Sequence, residues 1–213
     1  DARWEGGRWV LRTESGTHSA DLLVMANGPL SEPKLPTVPG LDRFQGATFH
    51  SARWNHQHDL RGERVAVIGT GSSAIQLVPE IQPIVGKLLV FQRTPPWVLP
   101  HTDRPISRVE RWLYRWVPGL QKLNRLTVYW LRELLLLGFA KKPSRMRIVA
   151  RRALRHLARQ VPDPELRARL TPSYLPGCKR LLPSNRWYPA LMQPNVSLIT
   201  QAVTEIRERS VLS

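Results

Sequence analysis

The chain has 213 residues, with 32 Lys and Arg against 16 Asp and Glu, and a net charge of +16. Its single cysteine, Cys178, excludes an intrachain disulfide and, with no signal peptide in view, favours a reducing, cytoplasmic setting. No run reaches about 18 apolar residues, so we predict no membrane span. The positive charge is concentrated between residues 101 and 180. We interpret it as solvated, arginine-rich helix faces in preference to a surface for nucleic acid or lipid.

The first forty residues read as strands followed by a linker. Residues 8–20 predict a short hairpin, and the apolar run Asp21–Ala26 predicts a buried strand. Ligands meet α/β sheets where strands end, so Ala26 and Gly28 are candidate cofactor-binding residues. Prolines predict an extended linker over residues 28–40. Because the sequence does not begin with Met and opens within a strand pair, we expect an internal part of a longer protein.

The next stretch has the pattern F-x-G-x-x-x-H-x-x-x-W, formed by Phe44, Gly46, His50 and Trp54. Taken alone, it predicts a strand followed by a polar loop. A single histidine such as His50 is most simply a structural hydrogen-bonding residue. Trp54 is most simply an anchor packed between domains.

The most informative stretch runs from residue 62 to residue 93. A short apolar run, residues 65–68, predicts a parallel strand buried on both faces. It leads into G-x-G-x-x-A, in which the first Gly allows a tight turn, the second admits a pyrophosphate, and the Ala lets the helix pack closely. A helix and a second strand follow, which is the context of a dinucleotide site. The predicted cofactor-binding residues here are Gly69, Thr70, Gly71, Ser72, Ser73 and Gln76.

The second strand of this unit ends at Gln92-Arg93-Thr94, without an acidic residue. An acid at this place would bind the 2′-hydroxyl of NAD, whereas an arginine accommodates the 2′-phosphate of NADP. Guanidinium pairs bidentately with phosphate. We therefore predict that Arg93 and Thr94 contact NADP(H); the simpler alternative is a solvated arginine ending a strand.

Residues 101–170 predict four helices. Pro105 suits a first helical position with Thr102 or Asp103 at the cap, Ser144 suits the cap of the third helix, and Asp163 precedes the fourth. Apolar residues recur at helical spacing, and we expect these stripes to be buried, with an interfacial helix on anionic lipid as the alternative. The stripes are Ile106, Val109, Leu113, Trp116 and Val117; Leu123, Leu126, Trp130, Leu134 and Leu137; and Met146, Val149, Ala153 and Leu157.

After the helices, Lys179 and Arg180 are adjacent cations that follow a glycine. In a strand they would point to opposite faces, so one could meet a cofactor phosphate and the other a reacting centre. Two solvent-facing charges explain them equally well. Residues 195–200 predict a last strand.

Taken together, the pattern over residues 44–54, the G-x-G-x-x-A after it and the strand and loop over residues 91–97 resemble the flavin-dependent Baeyer–Villiger monooxygenases. The inserted helices resemble those of the acetophenone-oxidising, 4-hydroxyacetophenone monooxygenase-like branch. The resemblance implies FAD and NADP(H) as cofactors and no metal. It implies that one oxygen atom from O2 is inserted into a small-molecule ketone, through a C4a-peroxyflavin, to give an ester or lactone.

The resemblance also implies roles for individual residues. Lys179 helps bind the NADP 2′-phosphate, and Arg180 lies over the flavin as the catalytic cation. His50 and Trp54 couple domain movement to cofactor binding. A guanidinium suits the place of Arg180 because it stabilises an anionic oxygen species without donating its proton.

These observations predict an α/β fold: a Rossmann-like NADP-binding domain with a helical insertion, plus incomplete pieces of an FAD-binding Rossmann-like domain. Such a part should be inactive alone, with no nucleic-acid partner and no membrane contact expected; its oligomeric state stays open. Two alternatives remain, a related flavoprotein that oxygenates nitrogen or sulfur and a bare NADP-binding module with a basic surface. The expected segments are 1–40, partial FAD-binding domain and linker; 41–100, first part of the NADP-binding domain; 101–172, helical insertion; 173–200, return of the NADP-binding domain; and 201–213, start of a C-terminal FAD-domain segment.

Overall fold

A computed structural model describes residues 1–26, 28, 32–101, 104–141 and 146–213, with the backbone alone for residues 135–141. The chain divides into two compact units. The first contains residues 1–37 and 49–54, and the second contains residues 38–48 and 55–213. The mixed α/β composition predicted from the sequence is confirmed.

The first unit is built on a three-stranded antiparallel sheet. Its strands are β1 (Ala2–Glu5), β2 (Arg8–Thr13) and β3 (Gly16–Ala20), in the order β1-β2-β3. The predicted hairpin is confirmed. The predicted strand over residues 21–26 is wrong: no strand forms there, and Leu22 and Met25 are 77% and 72% exposed. A buried strand needs partners along its edges, and this run joins none of the three described strands.

The second unit contains the remaining elements. In chain order they are a 3-10 turn (Leu41–Arg43), β4 (Arg64–Ile68), α1 (Ser72–Ile81), β5 (Lys87–Phe91), β6 (Val98–Leu99), α2 (Arg108–Trp116), α3 (Leu120–Lys141), α4 (Met146–Gln160), α5 (Pro164–Arg169), β7 (Leu182–Pro183), α6 (Trp187–Leu191), β8 (Val196–Ile199), β9 (Glu205–Arg207) and β10 (Ser210–Leu212). Residues 44–50 form no strand, so the strand predicted there is wrong.

A parallel sheet in the order β4-β5-β8 forms the centre of this unit. Leu88, Val90 and Val78 are fully buried around it, and β8 confirms the predicted last strand. The expectation that β4 is buried on both faces is wrong, because its alternate residues are exposed and Ile68 is 42% exposed. β4 is an edge strand, and the described residues leave one of its faces uncovered.

Asn195 joins the end of α1 to the start of β8. Its Nδ2 donates to the carbonyls of Gln82 (3.0 Å) and Val85 (2.9 Å), and its Oδ1 accepts from Nε2 of Gln82 (2.8 Å). The same turn that ends the helix is therefore held to the strand that completes the sheet.

The four predicted helices are present, but two of their details differ. Ser107, not a residue before Pro105, caps α2: its side chain accepts from Glu110 N while the Glu110 carboxylate accepts from Ser107 N. This reciprocal capping satisfies two free amides at the helix start. The start of α5 is confirmed, with Asp163 as the cap and Pro164 in the first turn. Thr102, Asp103 and Ser144 lie outside the described residues.

The apolar stripes divide into exposed and buried sets. On α4, Met146, Ala153 and Leu157 are buried as predicted. On α2 and α3 the expected burial is wrong, since most of the predicted stripe lies more than 40% exposed. α2 and α3 touch each other, but the other described elements do not cover their outer apolar faces. The exposed stripe residues are Ile106, Val109, Trp116, Val117, Leu123, Leu126, Trp130 and Leu134; the side chain of Leu137 is outside the description. No helix in the described ranges is long and apolar enough to cross a membrane.

Candidate functional site

The turn between β4 and α1 forms a glycine loop that is open to an approaching ligand. Gly69 adopts φ +106°, a conformation that favours glycine, and a Cβ added at Gly69 or Gly71 would meet nothing within 4 Å. Gly71 is the N-cap of α1, and no side chain accepts from the first amides of the helix. These free amides and the helix dipole suit an anion, so the loop fits the phosphates of a dinucleotide.

The side chains after Gly71 complete this loop. Ser72 and Ser73 are exposed in the first turn of α1, and Ala74 is buried, which allows the close packing predicted for it. Gln76 is exposed, and its Nε2 donates to the Ser72 carbonyl at 2.9 Å. The side chains of Ser72, Ser73 and Gln76 are therefore accessible to solvent beside the loop.

The glycine loop is hydrogen-bonded to the chain that follows β5. Gly69 N donates to the Phe91 carbonyl at 3.0 Å, and Oγ1 of Thr70 donates to the Thr94 carbonyl at 3.2 Å. Arg93 lies between these two contacts and is exposed. The structure thus brings the predicted residues of both segments to the carboxyl end of the parallel strands, where α/β folds bind ligands.

Tyr174 links the segment after β5 to the loop that contains Lys179 and Arg180. The Tyr174 hydroxyl donates to the Pro95 carbonyl at 3.1 Å, and the Nε1 of buried Trp97 donates to the Tyr174 carbonyl at 2.9 Å. The Lys179 ammonium lies 4.9 Å from the centre of the Tyr174 ring, within cation–π range. Lys179 is thereby tied to the segment that contacts the glycine loop.

Lys179 and Arg180 lie in a loop that ends before β7, so they do not project from opposite faces of a strand. Both side chains are exposed. β7 pairs with β6 in parallel, Leu182 opposite Val98, which brings this loop alongside the segment after β5.

The Phe44–Trp54 pattern is shared between the two units. In the second unit, a Cβ on Gly46 would lie 2.5 Å from Cε1 of Phe44, so a larger residue there would displace the ring. In the first unit, His50 Nδ1 accepts from Ala52 N at 3.1 Å, and the Trp54 ring packs edge-on against Phe49 at 4.8 Å. Each half of the pattern has a local structural role.

Ala26 and Gly28, the predicted residues of the first unit, are exposed, and Gly28 has φ +68°. Asn27 lies outside the described residues. Among the residues that the structure describes, no group of three or more His, Cys, Asp or Glu side chains is arranged as a metal site.

Comparison with known proteins identifies the family. The sequence profile of flavin-binding monooxygenase-like proteins matches residues 4–123. The chain belongs to the flavin-binding monooxygenase-like family.

Individual members of the flavin-binding monooxygenase-like family match over nearly the whole chain. A Baeyer-Villiger monooxygenase of Streptomyces coelicolor is 50% identical, over 97% of this chain and 40% of that protein. A Baeyer-Villiger monooxygenase of Pseudomonas aeruginosa is 48% identical, over 96% of this chain and 39% of that protein. The crystal structure of cyclohexanone monooxygenase from Rhodococcus sp. Phi1 bound to NADP+ is 26% identical, with a TM-score of 0.76 over 97% of this chain and 46% of that one. The chain therefore spans about 40% of the length of these curated relatives.

Three structurally important residues of this chain, Gln92, Trp97 and Tyr174, were not predicted from the sequence. Trp97 and Tyr174 are separated by 77 residues along the chain, and no local spacing connects them. Buried Gln92 donates from Nε2 to the Arg169 carbonyl at 3.0 Å and so holds the end of β5 against α5. An apolar strand ending in a polar residue was the one available signal for Gln92.

Proposed function

We propose that this chain is the NADP-binding part of an NADPH- and FAD-dependent Baeyer–Villiger monooxygenase that inserts one oxygen atom from O2 into a ketone. The observation that carries the proposal is the open glycine loop, joined by hydrogen bonds to the Arg93 segment and through Tyr174 to Lys179. The relatives that are 48–50% identical and bear this activity in their names support the reaction type.

In this proposal the loop residues hold the pyrophosphate of NADP(H). The amides of Gly71, Ser72 and Ser73 donate to its oxygens, and Thr70 keeps the loop against the Thr94 segment. Gln76 supports the first helical turn through Ser72.

Arg93 and Lys179 then bind the 2′-phosphate. Arg93 supplies a planar fork of donors and Lys179 a point charge, two chemically different contacts for one dianionic group. Both side chains are exposed, and neither lies within ion-pair distance of a carboxylate in the described part of the chain. They therefore have charge available for a ligand, which favours NADPH over NADH.

In the complete protein, bound FAD would supply the redox chemistry, namely acceptance of hydride from NADPH and activation of O2. Arg180 supplies a permanent cation that stabilises developing negative charge at that centre and withholds its own proton. Ala26 and Gly28 belong, in this proposal, to the edge of the FAD-binding domain. His50 and Trp54 couple domain movement to cofactor binding.

The proposed domain plan follows the sequence. Residues 1–40 are a partial FAD-binding domain and linker, 41–100 and 173–200 the Rossmann-like NADP-binding domain, 101–172 its helical insertion, and 201–213 the start of a further FAD-domain segment. The parallel β4-α1-β5 arrangement with β8 beside it supports the assignment of the NADP-binding domain.

The test uses the complete gene product with cyclohexanone as the probe ketone, 18O2 and mass spectrometry of the lactone. We expect Arg180→Ala to retain reduction of FAD by NADPH and to lose lactone formation, whereas Arg111→Ala on α2, an exposed arginine outside the site, retains both. Normal lactone yield from Arg180→Ala would remove this residue from the reaction. If a thioether or amine were oxygenated while cyclohexanone was not, the ketone assignment would be wrong.

A second experiment tests nucleotide choice. Arg93→Ala should lower the affinity for NADPH and leave that for NADH nearly unchanged, because NADH has no 2′-phosphate. An unchanged ratio of the two affinities would refute the role of Arg93.

A further inference from the structure

A groove lined by arginines lies along α4 and contains none of the residues of the glycine loop or of the Lys179 loop. It is open to solvent and has a volume of about 510 Å³. Its lining consists of Pro100, Ile148, Arg151, Arg152, Arg155, His156 and Arg159. We call it the α4 groove.

Helical spacing explains why these side chains converge. Each of residues 148, 151, 152, 155, 156 and 159 has another member of the set three or four positions away, so they share one face of α4. The adjoining face carries Ala153 and Leu157, which are 3% and 2% exposed and anchor the helix. The arginines thus project from a helix whose orientation is set by packing.

Hydrogen bonds connect α4 to the chain beside Pro100, a lining residue outside the helix. His156 Nε2 hydrogen-bonds to the Ser184 carbonyl at 2.8 Å, and Gln160 Nε2 donates to the Asn185 carbonyl at 2.9 Å. Asn185 in turn exchanges two hydrogen bonds with the His101 backbone, at 3.0 and 2.8 Å. This network ties α4 and the chain next to Pro100 to the same loop, so the two parts of the lining are held together.

Among the residues that the structure describes, no carboxylate pairs with the arginines of the groove. α4 contains five arginines and no Asp or Glu. Within the described ranges, none of the four arginines in the lining lies within ion-pair distance of a carboxylate, whereas Arg104 and Arg186 elsewhere in this unit pair with Glu110 and Glu80. Like charges four residues apart, such as Arg151 and Arg155, oppose helix formation. An anion in the groove would remove that repulsion.

The shape and lining indicate the class of ligand. Four guanidinium groups match a compound with more than one anionic group, and their planar forks suit phosphate. The α4 groove extends over about 16 Å of the helix, at about 1.5 Å per residue, and this length suits a small molecule. The lining has no aromatic platform of the kind that stacks nucleic-acid bases.

We propose that the α4 groove is a second anion site, which binds a small compound carrying at least two phosphate groups. The site shares no residue with the proposed NADP(H) contacts. The inference therefore stands or falls independently of the proposed function.

The test is calorimetric titration of the complete gene product with inorganic pyrophosphate, without NADP+ and at about 150 mM salt, near physiological ionic strength. NADP+ is left out because it carries several phosphate groups and would compete for the groove. We expect saturable binding that depends on the arginines of α4. The double variant Arg151→Gln/Arg155→Gln should weaken binding by about tenfold or more, since charge-assisted hydrogen bonds to both side chains are lost.

The matched control is Arg111→Gln/Arg115→Gln on α2, which removes the same charge from exposed positions with the same spacing. It should bind pyrophosphate like the unaltered protein. The proposal is overturned if pyrophosphate does not bind, or if both double variants lose the same affinity. It is also overturned if inorganic monophosphate binds as tightly as pyrophosphate. Tighter binding of duplex DNA with a steep salt dependence would replace the small ligand by nucleic acid and also overturn it.

Discussion

The contact between Lys179 and the Tyr174 ring gives the most direct test of how the proposed NADP(H) site is held together. Burial raises the pKa of Tyr174, so its hydroxyl keeps the proton that it donates to Pro95. Tyr174→Leu removes the ring and the hydroxyl together. Tyr174→Phe removes only the hydroxyl and keeps a ring beneath the ammonium group, 4.9 Å away in the present structure.

The expected magnitudes follow from these separate losses. A cation–π contact at an exposed site contributes about 0.5–1 kcal/mol, which corresponds to about a two- to fivefold weaker affinity for NADPH in Tyr174→Leu. Tyr174→Phe loses the hydrogen bond to Pro95, and this should lower the free energy of unfolding by about 0.5–1.5 kcal/mol. Its affinity for NADPH should change by less than about twofold. Lys179→Met, which removes the charge itself, should weaken NADPH binding by about tenfold or more.

The assay is fluorescence titration of the complete gene product with NADPH and with NADH, using Lys122→Met on α3 as the control for loss of one exposed lysine. In the Lys179→Met background, Tyr174→Leu should have no further effect on NADPH affinity. The reasoning is refuted if Tyr174→Leu weakens NADPH and NADH equally, or if its effect persists without Lys179.

Three further predictions concern stability. Asn195→Ala should destabilise the chain by about 1–3 kcal/mol in urea, because it leaves two carbonyls at the end of α1 without their donor; an unchanged midpoint would show that water replaces the side chain. The side-chain hydrogen bond from Arg104 lowers the pKa of Glu110 to about 2, so its stabilisation of α2 is present above its ordinary pKa and lost as pH falls towards 2. NMR titration of that carboxyl should show this, and a midpoint near 4.5 would contradict it. Gly40→Ala should cost at least about 2 kcal/mol, since φ is +82° and the new Cβ would strike a backbone carbonyl of β9. Gly62→Ala, with φ +70° and no atom near the new Cβ, should lower the free energy of unfolding by only about 1–2 kcal/mol. Equal losses of stability in the two variants would show that the backbone moves to relieve the collision at residue 40.

The sequence predicted the glycine loop and its helix because the signals there are local. An apolar run, two glycines and an amphipathic segment of the right lengths determine β4, α1 and β5 with little help from distant residues. The position of Arg93 was predicted for the same reason, because the end of β5 could be located from the sequence. The capping of α5 by Asp163 is equally local.

Several of the wrong predictions concern burial. Residues 21–26 and the stripes of α2 and α3 have the composition of buried segments, and most of their described apolar side chains are exposed. Apolar periodicity indicates which residues share a face, but it does not say whether another element covers that face. The same limit applies to β4, whose edge position depends on the order of strands.

The local units could be predicted from the sequence: a strand, glycine loop and helix whose first amides lack a side-chain cap, and the cations at residues 93, 179 and 180. The way in which those units meet depends on the fold of the whole chain. Tyr174 reaches Pro95 across 79 residues, and Asn195 reaches Gln82 across 113. Such contacts depend on the path of the whole chain, because a hydrogen bond or a ring contact between distant residues has no spacing that a local pattern could reveal.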